Sequence, residues 1–224
     1  MSLRPAEAEG MRGGLRAAAP LAPAVFLVGV SFGIAALPVM GAVAPVVMSA
    51  IVHAGSAQFA ALAVLANGGG AGAAIVAGIL LNLRFLPMAV AYAPWIPGGA
   101  LRRAAEGQAT TDASWAIASR GGGRFDRDTL LGATLAQYPA WLLGTLAGVL
   151  IGEGLGDPRD VGLDAIFPAF FLALLVEEAR GRRGAAVAVA GAVVALALSP
   201  LVPPGIPVLA ASVIALVGLR GERP

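Results

Sequence analysis

The chain contains no cysteine and no lysine. The first absence excludes disulfides, thiolate metal centres, a cysteine nucleophile and S-palmitoylation. The second rules out a P-loop of the form G-x-x-x-x-G-K-[ST], so ATP hydrolysis by that route is excluded. Neither a His-Glu-x-x-His motif nor a G-x-S-x-G elbow is present. The single histidine, His53, has no second imidazole or nearby carboxylate to build a metal site with. No basic stripe with interleaved aromatics points to nucleic acid. No cofactor and no enzymatic activity are expected. Charge is scarce too: 12% of the 224 residues are charged and 58% are hydrophobic. A soluble domain carries roughly 25% charged residues. The deficit leaves too little polar surface to cover a soluble fold of this size.

In place of charge there are apolar runs of membrane length. Seven segments stand out, at about 17–38, 43–66, 72–96, 129–151, 162–178, 184–200 and 203–219. A spanning helix needs about 20 apolar residues, so the expected fold is all-α: a polytopic helical bundle in a lipid bilayer. Proline and glycine punctuate the segments, at Pro38 to Pro45, Asn67 to Gly70, Pro94 to Pro97, Gly152 to Pro158 and Pro203 to Gly205. One membrane domain over 1–224 is expected, with a first half at 17–96, a polar linker at 97–128 and a second half at 129–219. Within the linker, 108–119 reads as a short helix. The last two segments read as a tight hairpin. The first apolar run is longer than the 7–15 residues of a signal-peptide core, so it reads as a retained segment.

All fifteen basic residues are arginine. Arg102, Arg103, Arg120, Arg124 and Arg127 sit in the linker, Arg180, Arg182 and Arg183 in the 177–184 turn, and Arg220 and Arg223 in the tail. Two crossings separate each group from the next, so all three face one side, which should be cytoplasmic. The acidic 152–164 loop falls opposite. The amino end breaks this pattern. Three crossings before the linker place it outside, yet Arg12 and Arg16 favour the inside. Either it is external, or one early segment re-enters without spanning. The 43–66 segment is the better re-entrant candidate, because His53 to Gln58 interrupts it.

Two polar islands interrupt the apolar runs: His53-Ala-Gly-Ser-Ala-Gln-Phe59 and Asn82-Leu-Arg-Phe-Leu-Pro87. An arginine at the centre of a membrane helix costs about 2.5–3.5 kcal/mol on insertion scales. Such residues face a bundle interior or an aqueous path and by default mark function. The pattern suits a protein that moves a small polar solute across a membrane.

Arg84 lies near the middle of 72–96. Pro87 withholds its N–H from the Leu83 carbonyl, so a kink is expected there, with Asn82 beside the freed backbone. A guanidinium at a kink suits a carboxylate. The other reading is a structural arginine tied to carbonyls or to Asp112. Ser56 and Gln58 lie in a small-residue stretch; a broken helix there offers carbonyls to an ammonium and N–H groups to a carboxylate. Interhelical hydrogen bonding, about 0.6 kcal/mol per bond, accounts for them equally well. His53 reads as a hydrogen-bonded spacer ahead of a proton carrier. Asp112 either meets Arg84 or an ammonium, or sits in the first turn of a helix capped by Thr111. Gln137, Tyr138 and Trp141 read as packing or interfacial anchors. Phe59, Phe85 and the rings of Phe167-Pro-Ala-Phe-Phe171 form either an apolar side-chain pocket or plain helix contacts.

An internal repeat is hinted at. Gly29-x-x-x-Gly33 recurs as Gly144-x-x-x-Gly148, and Ala57 to Val64 lines up loosely with Ala169 to Val176. Three segments, a linker and three more would give halves of inverted topology. The usual role of such glycine pairs is close helix packing.

Taken in order, Ala54-Gly-Ser-Ala-Gln-Phe59, Asn82-Leu-Arg84, Thr111-Asp112, Trp141-Leu-Leu-Gly-Thr-Leu-Ala-Gly148 and Gly162-Leu-Asp-Ala-Ile-Phe-Pro-Ala-Phe170 resemble the AzlC family, the large subunits of bacterial branched-chain amino acid exporters. The resemblance covers nearly the whole chain. It implies a multi-pass protein of the bacterial inner membrane that exports leucine, isoleucine, valine or methionine with a small AzlD-type membrane subunit. The substrate would be held by Ser56, Gln58, Phe59, Asn82, Arg84 and Asp112. Two departures stand out: Ala113 where members often carry a second acid, and Phe85 where they often carry histidine. The alternative function is a scaffolding or permease-like subunit of another transport complex, such as an ATP-driven importer, without its own substrate site.

Overall fold

The computed structural model describes residues 5–83, 85–121, 123–152 and 181–202, with isolated positions at 154, 172, 175–176, 179, 207, 210–211 and 213–214. The 162–178 and 203–219 segments, the Phe167–Phe171 rings and Arg84 therefore fall mostly or wholly outside the described residues. The helices are α1 (Pro5–Ala18), α2 (Ala22–Met40), α3 (Val43–Val52), α4 (Gly55–Ala66), α5 (Ala71–Asn82), α6 (Phe85–Tyr92), α7 (Ala100–Gly107), α8 (Asp112–Ala118), α9 (Arg127–Gly152) and α10 (Arg182–Leu198). No strand occurs among the described residues; Ser119 and Phe125 form one isolated bridge. The expected all-α membrane fold is what the chain adopts.

Gly10–Met40 and Arg127–Gly152 are each long and apolar enough to cross a membrane, and Ala71–Asn82 with Phe85–Trp95 makes a third if the broken pair is one span. The first segment does not stop at Pro38. A proline in the last turn forfeits one hydrogen bond without ending the helix, and the stop comes at Gly41, whose φ of 72° only glycine adopts cheaply. The expected kink at Pro87 is a break instead. α5 ends at Asn82 and α6 starts at Phe85, so Pro87 falls in a first turn, where its missing N–H costs nothing.

The chain divides into two compact units, Met1–Gly55 with Leu83–Leu155, and Ser56–Asn82 with Gly156–Pro224. In the first unit, α1 and α2 lie along α9. Gly10 lies against Asp128, Gly14 against Thr129 and Ala133, Gly29 against Trp141, Gly33 against Thr145 and Val149, and Gly152 against Leu37. The matches rise together along both helices, so the two run in the same direction. The glycines at 29, 33, 144 and 148 let the backbones touch, as lipid-embedded helices require in the absence of a hydrophobic drive. An inverted repeat equating these two helices would set them antiparallel; they are parallel. Large side chains such as Leu27, Leu143 and Leu150 point outward, as suits a lipid-facing surface.

The polar linker is more ordered than its composition suggests. α8 covers the expected short helix, and α7 was not anticipated. Thr111 caps α8: its Oγ1 accepts from the Ser114 N–H (3.2 Å), and the Ser114 hydroxyl accepts from the Thr111 N–H (2.8 Å). Tyr92, Ile96, Ala118, Phe125 and Leu130 form an apolar core that closes the linker over the start of α9. Asp126 caps α9 by accepting from the Thr129 N–H (3.1 Å).

Glu106 accepts two hydrogen bonds from Arg127 (2.6 and 2.7 Å) and one from Arg102 (2.9 Å). The Arg127 hydrogen bonds, aided by Arg102 and opposed by partial burial, hold its carboxyl below its usual value of 4.5. A carboxylate whose folded pKa is depressed stabilises the fold above its unfolded pKa, and that stability is lost as pH falls through the folded value. Proteolysis of the linker in purified protein should therefore stay slow from pH 7 to 5 and accelerate below about pH 4.5. Glu106→Gln should speed cleavage at pH 7 and flatten the acid dependence. A Glu106→Gln linker as resistant as the parent would contradict this role.

Candidate functional site: polar groups at two helix breaks

Both polar islands mark helix breaks. α3 ends at His53, whose backbone adopts the left-handed conformation (φ 39°, ψ 46°), and α4 restarts at Gly55. A non-glycine residue is strained in that region, and a break leaves carbonyls and N–H groups without helical partners. The 43–66 segment is thus interrupted where the sequence suggests.

In the second unit, Ser56, Gln58 and Phe59 occupy the first turn of α4. Ser56 is 5% exposed, and Gln58 and Phe59 are fully buried. Gly78 of α5 packs on Ala57, between Ser56 and Gln58. Asn82 lies one turn further on, at the last position of α5. The opening turn of α4 thus lies against α5 at Gly78, one turn before that helix ends. The Asn82 side-chain oxygen is buried and accepts no hydrogen bond. A carboxamide acceptor left unsatisfied away from water is costly unless something else fills it.

In the first unit the polar groups at the first break are mostly accounted for by packing. The Trp141 indole N–H donates to Ser49 Oγ (3.2 Å), and Ser49 shares a hydrogen bond with Thr145 (2.9 Å). The Tyr138 hydroxyl donates to the Ala50 carbonyl (2.7 Å), one of those freed at the end of α3. Trp141 stacks on Phe32, at 6.0 Å between centroids, and its ring fills the space beside Gly55. Tyr138 and Trp141 are packing residues, as one of the two readings held. Ser49 and Thr145 were missed. The signal was present: Gln137, Trp141 and Thr145 recur every four residues and so share one face of α9.

His53 packs edge-on against Tyr138 (4.9 Å), and neither ring nitrogen has a hydrogen-bond partner. It is not the hydrogen-bonded spacer expected. Gln137 is buried and accepts from Thr111 (3.3 Å). Asp112 is exposed in the first turn of α8, beside its cap Thr111, which suits the helix-dipole reading. Among the described residues no group of three or more His, Asp or Glu is placed to hold a metal.

The family model described as AzlC protein matches residues 20–155, which span α2 to the end of α9. The chain belongs to the AzlC family. It is 33% identical over 218 residues to an uncharacterized membrane protein of Archaeoglobus fulgidus, covering 94% of this chain and 95% of that one. It is 26% identical over 158 residues to the inner membrane protein YgaZ of Escherichia coli K12, covering 65% of this chain and 63% of YgaZ. No solved structure matches. The AzlC match covers both helix breaks, α2 and α9. The chain is accordingly a multi-pass membrane protein of the AzlC family.

Proposed function

We propose that this AzlC-family protein is the large subunit of a secondary transporter that exports branched-chain or similarly apolar amino acids across the cytoplasmic membrane. It works with a small AzlD-type membrane subunit and catalyses no chemical reaction. The observation that carries the reading is the buried first turn of α4, holding Ser56 and Gln58 on either side of the Ala57 that meets Gly78 of α5, together with the unsatisfied Asn82 oxygen at the end of α5. Polar groups of this kind within apolar segments suit a polar solute.

An amino acid presents a carboxylate, an ammonium and a side chain. Arg84 is assigned the carboxylate, because a guanidinium donates two parallel hydrogen bonds to it. Asn82 assists it through its amide N–H groups, Ser56 and Gln58 offer acceptors to the ammonium, and Phe59 contacts the apolar side chain. Asp112 attracts the ammonium from the linker. The carboxyl terminus, with Arg220 and Arg223, lies on the cytoplasmic side.

The test is leucine and valine counterflow in proteoliposomes holding this chain with its small partner. Gln58→Ala and Arg84→Ala should each reduce flux at least about tenfold, equivalent to about 1.4 kcal/mol of lost stabilisation, with the complex still assembled. Unchanged flux in both variants would defeat the site assignment. Absent leucine and valine flux in the parent would defeat the substrate class.

A further inference from the structure

We propose that residues 43–66 form a re-entrant hairpin that enters from the outer face, turns at mid-depth around His53 and returns to the outer face. This topology is independent of what the chain transports.

The helix Gly10–Met40 and α9 run parallel in contact, so their starts lie on the same side of the membrane. That side also holds the linker, whose apolar core packs on Leu130 near the start of α9. A chain that leaves this side through the first helix and is back on it at the linker makes an odd number of crossings between Met40 and Arg127. Two apolar segments lie between, at 43–66 and 71–95. One of them crosses and the other re-enters.

The depth reached by α3 suits the second of these for 43–66. Ile34 and Leu37, near the end of α2, lie beside Gly152 at the far end of α9. From there α3 descends against α9. Ser49 meets Thr145, Ala50 meets Tyr138, and the His53 ring rests on Tyr138, near the middle of α9. Ten residues of helix rise about 15 Å, half of a hydrocarbon core of about 30 Å. At that depth α3 stops, and the left-handed backbone of His53 redirects the chain. The next twelve residues, α4, suffice for the return.

The starts of the first helix and of α9 gather Arg12, Arg16, Arg102, Arg103, Arg120, Arg124 and Arg127, the cytoplasmic signature. The loop after α4, Asn67-Gly-Gly-Gly70, carries none. It belongs to the outer side, and 71–95 is the segment that crosses. This topology removes the conflict over Arg12 and Arg16.

The native chain has no cysteine, so single thiols can be introduced without other changes. Gly13→Cys, Gly70→Cys and Arg103→Cys are all at exposed positions, and at Gly13 and Gly70 an added Cβ meets nothing. Labelling uses a membrane-impermeant maleimide on intact cells and on inside-out vesicles. Gly70→Cys should react in intact cells, and Gly13→Cys and Arg103→Cys only in inside-out vesicles. Asn67→Cys gives the same reading should Gly70→Cys fail to accumulate. Gly70→Cys and Asn67→Cys labelled with Gly13→Cys on the vesicle side would overturn the hairpin. Opposite sides for Gly13→Cys and Arg103→Cys would overturn the parity on which it stands. Loss of flux in Gln58→Ala with this labelling pattern intact leaves topology and substrate site separately decided.

Discussion

Gly33→Val or Gly148→Val should prevent the first helix from seating on α9. A Cβ at Gly33 would run into the Thr145 carbonyl and the Val149 amide; one at Gly148 would meet the Val30 carbonyl. These obstacles are backbone atoms of regular helices, so no rotamer change relieves them. The helices must separate, and every contact along a seam from Gly10 to Gly152 weakens together. Overpacking of a tight interface typically costs about 1–3 kcal/mol and sometimes more. For a chain of this length about 3 kcal/mol corresponds to a fall of roughly 6–12 °C in melting temperature. Melting in detergent, followed by loss of the monodisperse size-exclusion peak, measures it. Gly13→Ala is the control, since nothing lies near its added Cβ, and it should melt with the parent. Equal melting of Gly33→Val and the parent would mean the seam is not what holds the unit together.

Trp141→Ala should be comparably damaging for the opposite reason, because it empties a space. The indole fills the gap beside Gly55, stacks on Phe32 and donates to Ser49, which is itself hydrogen-bonded to Thr145. In lipid the transfer part of the loss is small, because the unfolded reference is apolar too. The lost dispersion contacts remain. Large-to-alanine changes in packed interiors cost about 3–5 kcal/mol; with the transfer part reduced, about 2–3 kcal/mol is expected here. Trp141→Phe keeps most of the ring contact and loses the donor, so it should recover more than half of the melting temperature. If Trp141→Phe is as unstable as Trp141→Ala, the hydrogen bond to Ser49 outweighs the packing.

Much of this was legible before any coordinates. The break at His53 follows from polar residues in an apolar run, and the cap at Thr111 was one of the two readings of Thr111-Asp112. The paired glycines announced helix contact. Their partner and direction were not legible, because a glycine says that a backbone comes close but not whose. Ser49 and Thr145 went unnoticed because a lone hydroxyl in an apolar helix returns its hydrogen bond to its own backbone as often as it reaches a neighbour. α7 was hidden by its charges: Arg102, Glu106 and Arg127 look like a solvated stretch until Glu106 is seen accepting from both arginines. Of the candidate site, the packing of the first turn of α4 on α5 needed the Gly78–Ala57 contact, which no spacing encodes.

The glycine seam also determines where the molecule can yield. A rod of 31 residues, gripped by α9 along most of its length, shifts together with its neighbour. Bending is easiest after His53, where the helical ladder is interrupted. Any reshaping would begin at that interruption and leave the seam intact.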